Sequence, residues 1–501
     1  MKKFIFFMFL LFITNLHAEI LYHSPVDYKT FNIFDTANYK TVEIISRQQA
    51  LSDLNDFIYI LTSSYAGYDD MIENSFDTTI LKNKFIDLIS QKNTISTKDF
   101  YNFLIENTAG YINDAHFALI LNNKRTQFCK KTEIYYSNTY LQYKNDSFYV
   151  FETDSPFLEI NTKYTDSTAN LFIYKSKGQN IYRVGVLSNN PISQKDFSFN
   201  NKLITLDLHN DGAIEVRLAE KMKYHEIETA KSGYVSISGF MPADNDSIYK
   251  KGIDIVLNKY SNLSNKWNKK KNIVIDIRAN SGGYPLYSAF FLYSLYDNNL
   301  LPLTRDNRNL IINHFNYDFN RNLYIDSPVS AFAKLQSAAH KNQTDVVGYY
   351  TNFLSQQQHN PARLVYTADY NSYTKRKRPY YKGKIIILTD RNTVSAGEET
   401  VAIAKKLFEP TKQLTIIGEN TSGMYSYFDV FAITLPNSNI ILSVPFAKNI
   451  QLENDKFWNG EGFGYYPDTW SEGKDLNNSI ISITKDKELF EKLKNIESGL
   501  Q

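Results

Sequence analysis

The sequence contains one cysteine, at position 129, and this restricts the chemistry available to the chain. A single thiol forms neither an internal disulfide nor a cluster of thiolate metal ligands. Cys129 lies in no motif that would make it a nucleophile, so we interpret it as a small packed residue.

Net charge is also low, and long apolar runs are absent beyond the N-terminus. There are 55 Lys and Arg residues against 53 Asp and Glu residues, which gives a formal net charge of +2. This balance favours neither nucleic acid nor an anionic membrane surface as a partner. We interpret the basic run at 375–378 as a solvated face. No run after residue 18 is apolar enough to span a bilayer.

The N-terminus has the composition of an export signal. Lys2 and Lys3 precede ten apolar residues at 4–13, and a short stretch ends in Leu-His-Ala at position 18. The pattern predicts a signal peptide at 1–18. An uncleaved anchor is the alternative, but the apolar run is short for a membrane span. We therefore expect an exported protein, periplasmic or extracellular, with no stable membrane span after cleavage. Loss of Lys2 and Lys3 would leave a formal charge of zero.

A chain of 501 residues is long enough for several domains, and the local patterns change along it. They predict an α/β fold class, in detail a multidomain α+β protein. The predicted segments are a signal peptide at 1–18, an N-terminal helical domain at 40–125, a middle antiparallel β module at 126–225, a core at 226–475 with an insertion at 300–380, and a C-terminal helix at 476–501. We expect the insertion to cover the functional site.

Caps and turns support the first two of these domains. Ser46 and Gln49 form a capping-box pattern before an apolar helical stripe. A second helix carries an apolar set at 80, 81, 85 and 88. In the β module, strands flank Asn145-Asp146 and the turn at 210–212, which has the sequence Asn-Asp-Gly. The module either spaces and packs the domains or docks substrate by strand addition, and the sequence leaves both open.

The stretch at 384–407 organises the core. Ile385–Leu388 is a continuous apolar run typical of a buried strand, and helix-forming residues begin at Ala396. Ser395 therefore lies where a strand turns into a helix N-terminus, with free N–H groups nearby. Such a serine is either a helix cap or a nucleophile whose oxyanion those N–H groups hold.

A second strand and turn precede it. The strand at 272–277 runs into a turn that ends in Gly282-Gly283, and a helix follows from about 286. A phosphate cradle is one interpretation, but the dinucleotide and P-loop motifs are absent. Two glycines at a strand end can instead present bare N–H groups to an oxyanion.

Two further residues are candidates for acid–base chemistry. His116 opens an apolar run after an Asn-Asp turn, and it is either structural or a general base. Glu461 lies among glycines in a tight loop, where a surface glutamate is the plain alternative.

Together, these segments resemble the C-terminal processing (tail-specific) and tricorn-core family of serine peptidases. Four patterns match in family order: Asp114-Ala115-His116, the Asp276-x-Arg278-x-Asn280-x-Gly282-Gly283 turn, Thr393-Val-Ser395-Ala-Gly-Glu398 with the loop 418–423, and Glu461-Gly-x-Gly-x-x-Pro467-Asp468. The match is specific over about 230–470 and looser over the first 220 residues. The resemblance implies a crotonase-like core of ββα units.

The resemblance also implies the catalytic design. The lysine-base version of the family would place a lysine where this chain has Met424, so the histidine-base version is expected. Ser395 would be the nucleophile, His116 the base and Glu461 the relay. The oxyanion hole would come from Ala396 and from Gly282 or Gly283. The expected partner is a polypeptide substrate, and the mechanism needs no metal or other cofactor.

Ala115 stands where the tricorn type has a serine in its relay. A direct or water-mediated contact between His116 and Glu461 is therefore expected. One rival hypothesis is a catalytically weak or inactive homologue that acts as a peptide-binding module. The other is an acyl-CoA enzyme of the crotonase type that shares only the core. Labelling of Ser395 by a fluorophosphonate would separate the peptidase from the binding module.

Overall fold

The computed structural model describes residues 42–129, 131–166, 171–176, 180–210, 224–240, 259, 262–283, 286–297, 323–325, 364–365, 379–471 and 476–498. The predicted signal peptide at 1–18 and most of the predicted insertion at 300–380 lie outside the described residues, as do residues 211 and 212 of the predicted turn.

The described helices are α1 (Arg47–Ser64), α2 (Tyr68–Glu73), α3 (Thr78–Ile89), α4 (Thr97–Thr108), α5 (Leu286–Tyr296), α6 (Ala396–Phe408), α7 (Leu476–Thr484) and α8 (Lys487–Ser498).

The described strands are β1 (Ile44–Ser46), β2 (Thr94–Ser96), β3 (Ala118–Leu121), β4 (Lys124–Gln127), β5 (Glu133–Lys144), β6 (Ser147–Glu152), β7 (Leu171–Ser176), β8 (Asn180–Ser188), β9 (Gln194–Phe199), β10 (Lys202–Asp207), β11 (His225–Glu228), β12 (Ser232–Ser236), β13 (Asn272–Asp276), β14 (Leu323–Ile325), β15 (Leu364–Val365), β16 (Lys384–Thr389), β17 (Leu414–Gly418), β18 (Tyr427–Thr434), β19 (Ile441–Asn449) and β20 (Thr469–Trp470).

The chain divides into two compact units. The first unit is Met1–Cys129 with Arg321–Thr367 and Ser426–Gln451, and the second unit is Lys130–Asn320 with Ala368–Tyr425 and Leu452–Gln501. The units are not contiguous in sequence, whereas the predicted domains are contiguous. The hairpin of β18 and β19 falls in the first unit because β19 pairs with β3, although these residues lie within the predicted core at 226–475.

In the first unit, polar caps start the helices. The capping box predicted before α1 is confirmed, since the Gln49 N–H donates to Ser46 Oγ at 3.2 Å and the Ser46 N–H to Gln49 Oε1 at 2.9 Å. Helix α3 buries Leu81 together with residues 85 and 89, while Ile80 and Leu88 are exposed. The buried face of α3 therefore follows a regular i, i+4 spacing and differs from the predicted set by these two residues.

A largely antiparallel sheet completes the first unit. Its order is β15-β14-β19-β3-β4, and β18 pairs with the same strand β19. Buried residues of the helices and of this sheet form one core, which includes Phe57, Phe85, Phe117 and Leu442. Strand β3 begins two residues after His116, so the sheet fixes the backbone near that histidine.

The second unit is built on a sheet of order β11-β12-β13-β16-β17-β20. The strands from β12 to β20 run parallel, and β11 is antiparallel to β12. The buried apolar strands that the sequence predicts at 272–277 and 385–388 lie side by side in this sheet, because β13 and β16 are hydrogen-bonded neighbours. Parallel neighbours end at the same edge, so the turns after β13 and β16 lie side by side.

Helices cover both faces of this parallel sheet. Ile273, Ile275 and Ile385 pack in one core with residues of α5 and α6, while Val274 and Ile386 face a second core with α7 and α8. Alternate residues of each strand therefore enter different cores. Burial on both faces explains the continuous apolar runs in the sequence.

The middle β module contains a four-stranded antiparallel sheet of order β6-β5-β8-β7 and a separate hairpin of β9 and β10. Asn145 and Asp146 join β5 to β6 with φ values of 53° and 55°, which is the type of two-residue turn predicted. Asn200 and Asn201 form the corresponding turn between β9 and β10, with φ values of 47° and 62°.

The described part of 476–501 contains two helices, α7 and α8, rather than the single C-terminal helix predicted. Lys485 separates them with a φ of 53°, a left-handed conformation that a continuing helix does not contain. Taken together, the described helices and sheets form a mixed α/β protein. None of the helices in the described ranges combines the length and apolarity that crossing a bilayer requires.

Candidate active site

Ser395 lies in a strained turn between β16 and α6. Its φ is 52° and its ψ is −115°, a combination that non-glycine residues rarely adopt. Backbone strain of this kind concentrates at functional sites, where the surrounding structure maintains it. The side chain is half-buried, and the helix begins at the next residue, Ala396. The Ala396 N–H has no acceptor within its own helix, so it is available beside the Ser395 hydroxyl.

Hydrogen bonds from the neighbouring strand end hold this turn. Val394 donates its N–H to Asn280 O at 2.9 Å, and the Thr393 hydroxyl donates to Ile277 O at 2.9 Å. Asp390 accepts the Ala279 N–H at 2.9 Å, which joins the two turns a third time. The Ser395 turn and the turn after β13 therefore form one hydrogen-bonded substructure.

The Gly282-Gly283 pair packs directly against Ser395. A Cβ atom added to Gly282 would lie 2.9 Å from Ser395 Cβ and 3.4 Å from Ser395 Oγ. Gly282 has a φ of 81° and Gly283 a φ of 123°, both in the region that favours glycine. The Gly282 N–H donates to Asn280 Oδ1 at 2.9 Å. Because the Gly282 N–H already has this acceptor, Gly283 and Ala396 remain as the predicted oxyanion donors.

A buried ion pair supports this glycine turn. Arg278 binds Asp276 through two nitrogens, Nε at 3.0 Å and an Nη at 2.7 Å, in a bidentate contact. The Tyr234 hydroxyl donates to the same carboxylate at 2.8 Å. Ala279 follows with a φ of 50°, so this turn contains a second strained residue.

Glu398, in the first turn of α6, has a fully buried carboxylate that accepts four hydrogen bonds. Oε1 accepts the Thr421 hydroxyl at 2.7 Å and the Gly423 N–H at 2.7 Å. Oε2 accepts the Met424 N–H at 2.7 Å and the Ser395 N–H at 3.1 Å. Burial raises the pKa of Glu398 to about 7 although the hydrogen bonds lower it. With both oxygens occupied by donors, this carboxylate is not available to ligate a metal.

Glu461 lies in a glycine-rich loop and is buried, with 9% of its surface exposed, so it is not a surface glutamate. Gly460 and Gly462 on either side have φ values of 106° and 84°, which explains why glycines flank it. Gly462 donates its N–H to Gly423 O at 2.8 Å. The Glu461 loop thus rests on the segment that Glu398 binds.

His116 belongs to the first unit, where Asp114 orders its backbone. Asp114 Oδ1 accepts the His116 N–H at 2.7 Å, and the Ser443 hydroxyl donates to His116 O at 3.0 Å. Burial, followed by the positive charge of Arg125, lowers the pKa of His116 to about 4. Burial raises the pKa of Asp114 to about 7. The imidazole is therefore neutral at physiological pH, the form that a general base requires.

The comparison with protein families gives a match to Peptidase family S41 over residues 231–468. These residues therefore belong to peptidase family S41. The protein is a serine-type peptidase, that is, a hydrolase, and its substrate class is polypeptide. The comparison with curated proteins gives no match.

Several solved structures align with this chain at low identity. Mature CPAF complexed with lactacystin aligns with 90% of this chain and 98% of its own, at 14% identity and a TM-score of 0.37. The photosystem II D1 C-terminal processing protease aligns with 85% and 93%, at 13% identity and a TM-score of 0.33. The tricorn protease aligns with 89% and 37%, at 14% identity and a TM-score of 0.32. The family assignment depends on the family match alone.

The S41 region contains most of the predicted site. Ser395, Ala396, Gly282 and Gly283 meet in one substructure of the second unit, and Glu461 lies in the same unit. His116 precedes the region and lies in the first unit, so its pairing with Ser395 and Glu461 stays a prediction.

Sequence reasoning did not identify Glu398, Asn280, Asp390 or Thr421 as site residues. For Glu398, a signal was present: a serine followed three residues later by a glutamate at a helix start is a capping-box pattern. The other three contact the backbone of residues distant in sequence, which local patterns do not report.

Proposed function

We propose that this S41 peptidase cleaves polypeptides through an acyl-enzyme formed on Ser395. The observation that most supports this proposal is the strained Ser395 turn, which packs against Gly282 at the carboxyl end of a buried parallel sheet. The hydroxyl stands beside available N–H groups, as nucleophilic attack on a carbonyl requires. The core that presents it would be crotonase-like.

In this mechanism, neutral His116 accepts the proton of the Ser395 hydroxyl as the oxygen attacks the peptide carbonyl. The N–H groups of Ala396 and Gly283 stabilise the resulting oxyanion. Protonated His116 then gives its proton to the leaving amine, and the acyl-enzyme remains. Water, activated by His116, hydrolyses this ester. Glu461, directly or through a water molecule, orients His116 and stabilises its protonated form.

We also propose that the peptidase acts outside the cytoplasm. The support is the basic and apolar pattern of residues 1–18, which predicts cleavage after Ala18. N-terminal sequencing of the protein recovered from its host should begin at Glu19. A chain that retains Met1 or Lys2 in the mature fraction would contradict export by cleavage.

The test of function compares the wild-type chain with a Ser395→Ala variant on an unfolded polypeptide such as reduced casein. Wild-type protein should release new peptides, detected by mass spectrometry, and the variant should lose about a million-fold in kcat, as expected for a catalytic serine. Ser482→Ala is the matched control, because that hydroxyl donates within α7 to Ser479 O at 2.8 Å. Equal cleavage by the Ser395→Ala variant at equal thermal stability would refute the proposal.

A further inference from the structure

The Glu398 carboxylate is the acceptor in all four of the hydrogen bonds that hold it. Three of the four are backbone N–H groups, from Ser395, Gly423 and Met424, and the fourth is the hydroxyl of Thr421. That hydroxyl itself accepts the Tyr465 N–H at 2.8 Å. An N–H group cannot reverse its direction to become an acceptor. The three N–H groups therefore fit an ionised carboxylate, and the Thr421 hydroxyl is the one partner among the four that can also accept a hydrogen bond.

A proton on this carboxyl would face one of these donors. If it sat on Oε2, it would point at the N–H groups of Ser395 and Met424. On Oε1 it would either meet the Gly423 N–H or require the Thr421 hydroxyl to turn and give up its own donation to Glu398. A buried donor left without an acceptor is destabilising, so at least one of these contacts would open. A glutamine at this position has the same defect, because its amide nitrogen is a donor.

The contacts of Glu398 join three parts of the site. On one side it holds the Ser395 N–H, at the residue with the strained backbone. On the other side it holds the segment Thr421–Met424, and Gly423 in turn accepts the Gly462 N–H. Gly462 is adjacent to Glu461. A single side chain thus connects the proposed nucleophile with the loop of the proposed relay.

We propose that Glu398 is a positioning residue for Ser395: its carboxylate holds the strained turn and the Thr421–Met424 segment together, and its protonation releases them. The proposal rests on the role of Ser395 proposed above. It adds a second ionisation to the site, independent of the one on His116.

The titratable groups around Glu398 are compatible with a carboxyl whose pKa lies near neutral pH. Its pKa is raised to about 7 by burial. Tyr465 faces it from the segment after the Glu461 loop, and burial raises the pKa of that phenol so that it stays neutral. On α6, the charge of Glu399 acts on Tyr425 and Tyr465. At the start of the Ser395 turn, Asp390 accepts the backbone N–H groups of Ala279 and Asn392. Burial raises the pKa of Asp390.

The sign of the pH effect follows from this geometry. Above pH 7 Glu398 is ionised and Ser395 is held, and below it the carboxyl is protonated and the turn opens. Activity should therefore rise with a midpoint near pH 7. The His116 ionisation lies at about 4, so the two limbs of the profile are separable.

The first experiment measures kcat and KM of the full-length protein on a fluorogenic peptide over a pH range that includes both limbs. Glu398→Gln should lower kcat at pH 8 by on the order of ten- to a hundredfold, the size expected when one buried hydrogen bond is lost, with a smaller effect on KM. Its profile should lack the limb near pH 7. Glu399→Gln, the same change one residue along α6, should keep that limb. A Glu398→Gln enzyme with the wild-type profile would overturn the proposal.

The second experiment is independent of catalysis. Hydrogen–deuterium exchange of the peptide containing Thr421–Met424, corrected for the intrinsic effect of pH, is followed in the Ser395→Ala protein. Protection should be high at pH 8 and reduced at pH 6, and it should be low at both values when Glu398→Gln is added. Unchanged protection in the double variant would refute the positioning role. Absence of wild-type hydrolysis with the expected exchange pattern would instead refute the proposed function.

Discussion

Gly282→Ala tests how closely the glycine turn and Ser395 are packed. The native φ of 81° disfavours any residue with a Cβ atom, at a cost of roughly 1–2 kcal/mol. The new methyl group would also lie 2.9 Å from Ser395 Cβ and 3.3 Å from Val394 O, and such overpacking adds about 1–3 kcal/mol. The expected loss in the free energy of unfolding is therefore about 2–5 kcal/mol.

The effect on activity should exceed the effect on folding. Relief of the contact displaces Ser395, and a shift approaching 1 Å at a reacting group can lower the rate by about a hundredfold. The assays are urea unfolding and the rate of fluorophosphonate labelling under conditions where the variant is folded. Gly110→Ala is the control, because a Cβ atom there would meet nothing within 4 Å. Wild-type stability and labelling of the Gly282→Ala protein would refute the packing argument.

Two further predictions concern the base and the ion pair. His116→Ala should abolish hydrolysis at every pH, and full activity of this variant would remove His116 from the mechanism. Because burial lowers the pKa of His116 to about 4, the wild-type profile should contain a limb near pH 4, and a profile without that limb would contradict this environment. Asp276→Asn should lower the free energy of unfolding by about 3 kcal/mol or more in urea titrations, because it leaves the Arg278 guanidinium buried without its partner. A change below about 0.5 kcal/mol, the usual range for surface positions, would show that the pair is not needed.

Local sequence signals predicted the elements that position Ser395. The run Ile385–Leu388, buried on both faces of the parallel sheet, is recognisable without structural information, and so are the polar turn and the helix that follow. The left-handed backbone of Ser395 is not recognisable in this way, because it is imposed by bonds to residues more than 100 positions earlier. Local propensity does not describe such contacts.

The remaining differences have the same physical origin. Glu398 reads in the sequence as an ordinary helix-start glutamate, and only its bonds to Thr421–Met424 make it a connection between loops. The hairpin of β18 and β19 follows the core strands in sequence but pairs with β3, and nonlocal strand pairing carries no local signature. For Glu461, the flanking glycines predicted a tight loop but not its burial.

The central claim is that Ser395 is the nucleophile, and covalent labelling tests it most directly. The protein is treated with a fluorophosphonate at pH 8 and digested, and the modified residue is located by tandem mass spectrometry. The account predicts one adduct, on the Ser395 hydroxyl. The Ser395→Ala variant, treated in the same way, should carry no adduct. An adduct only on another residue, or loss of hydrolysis while Ser395 stays unmodified, would contradict it.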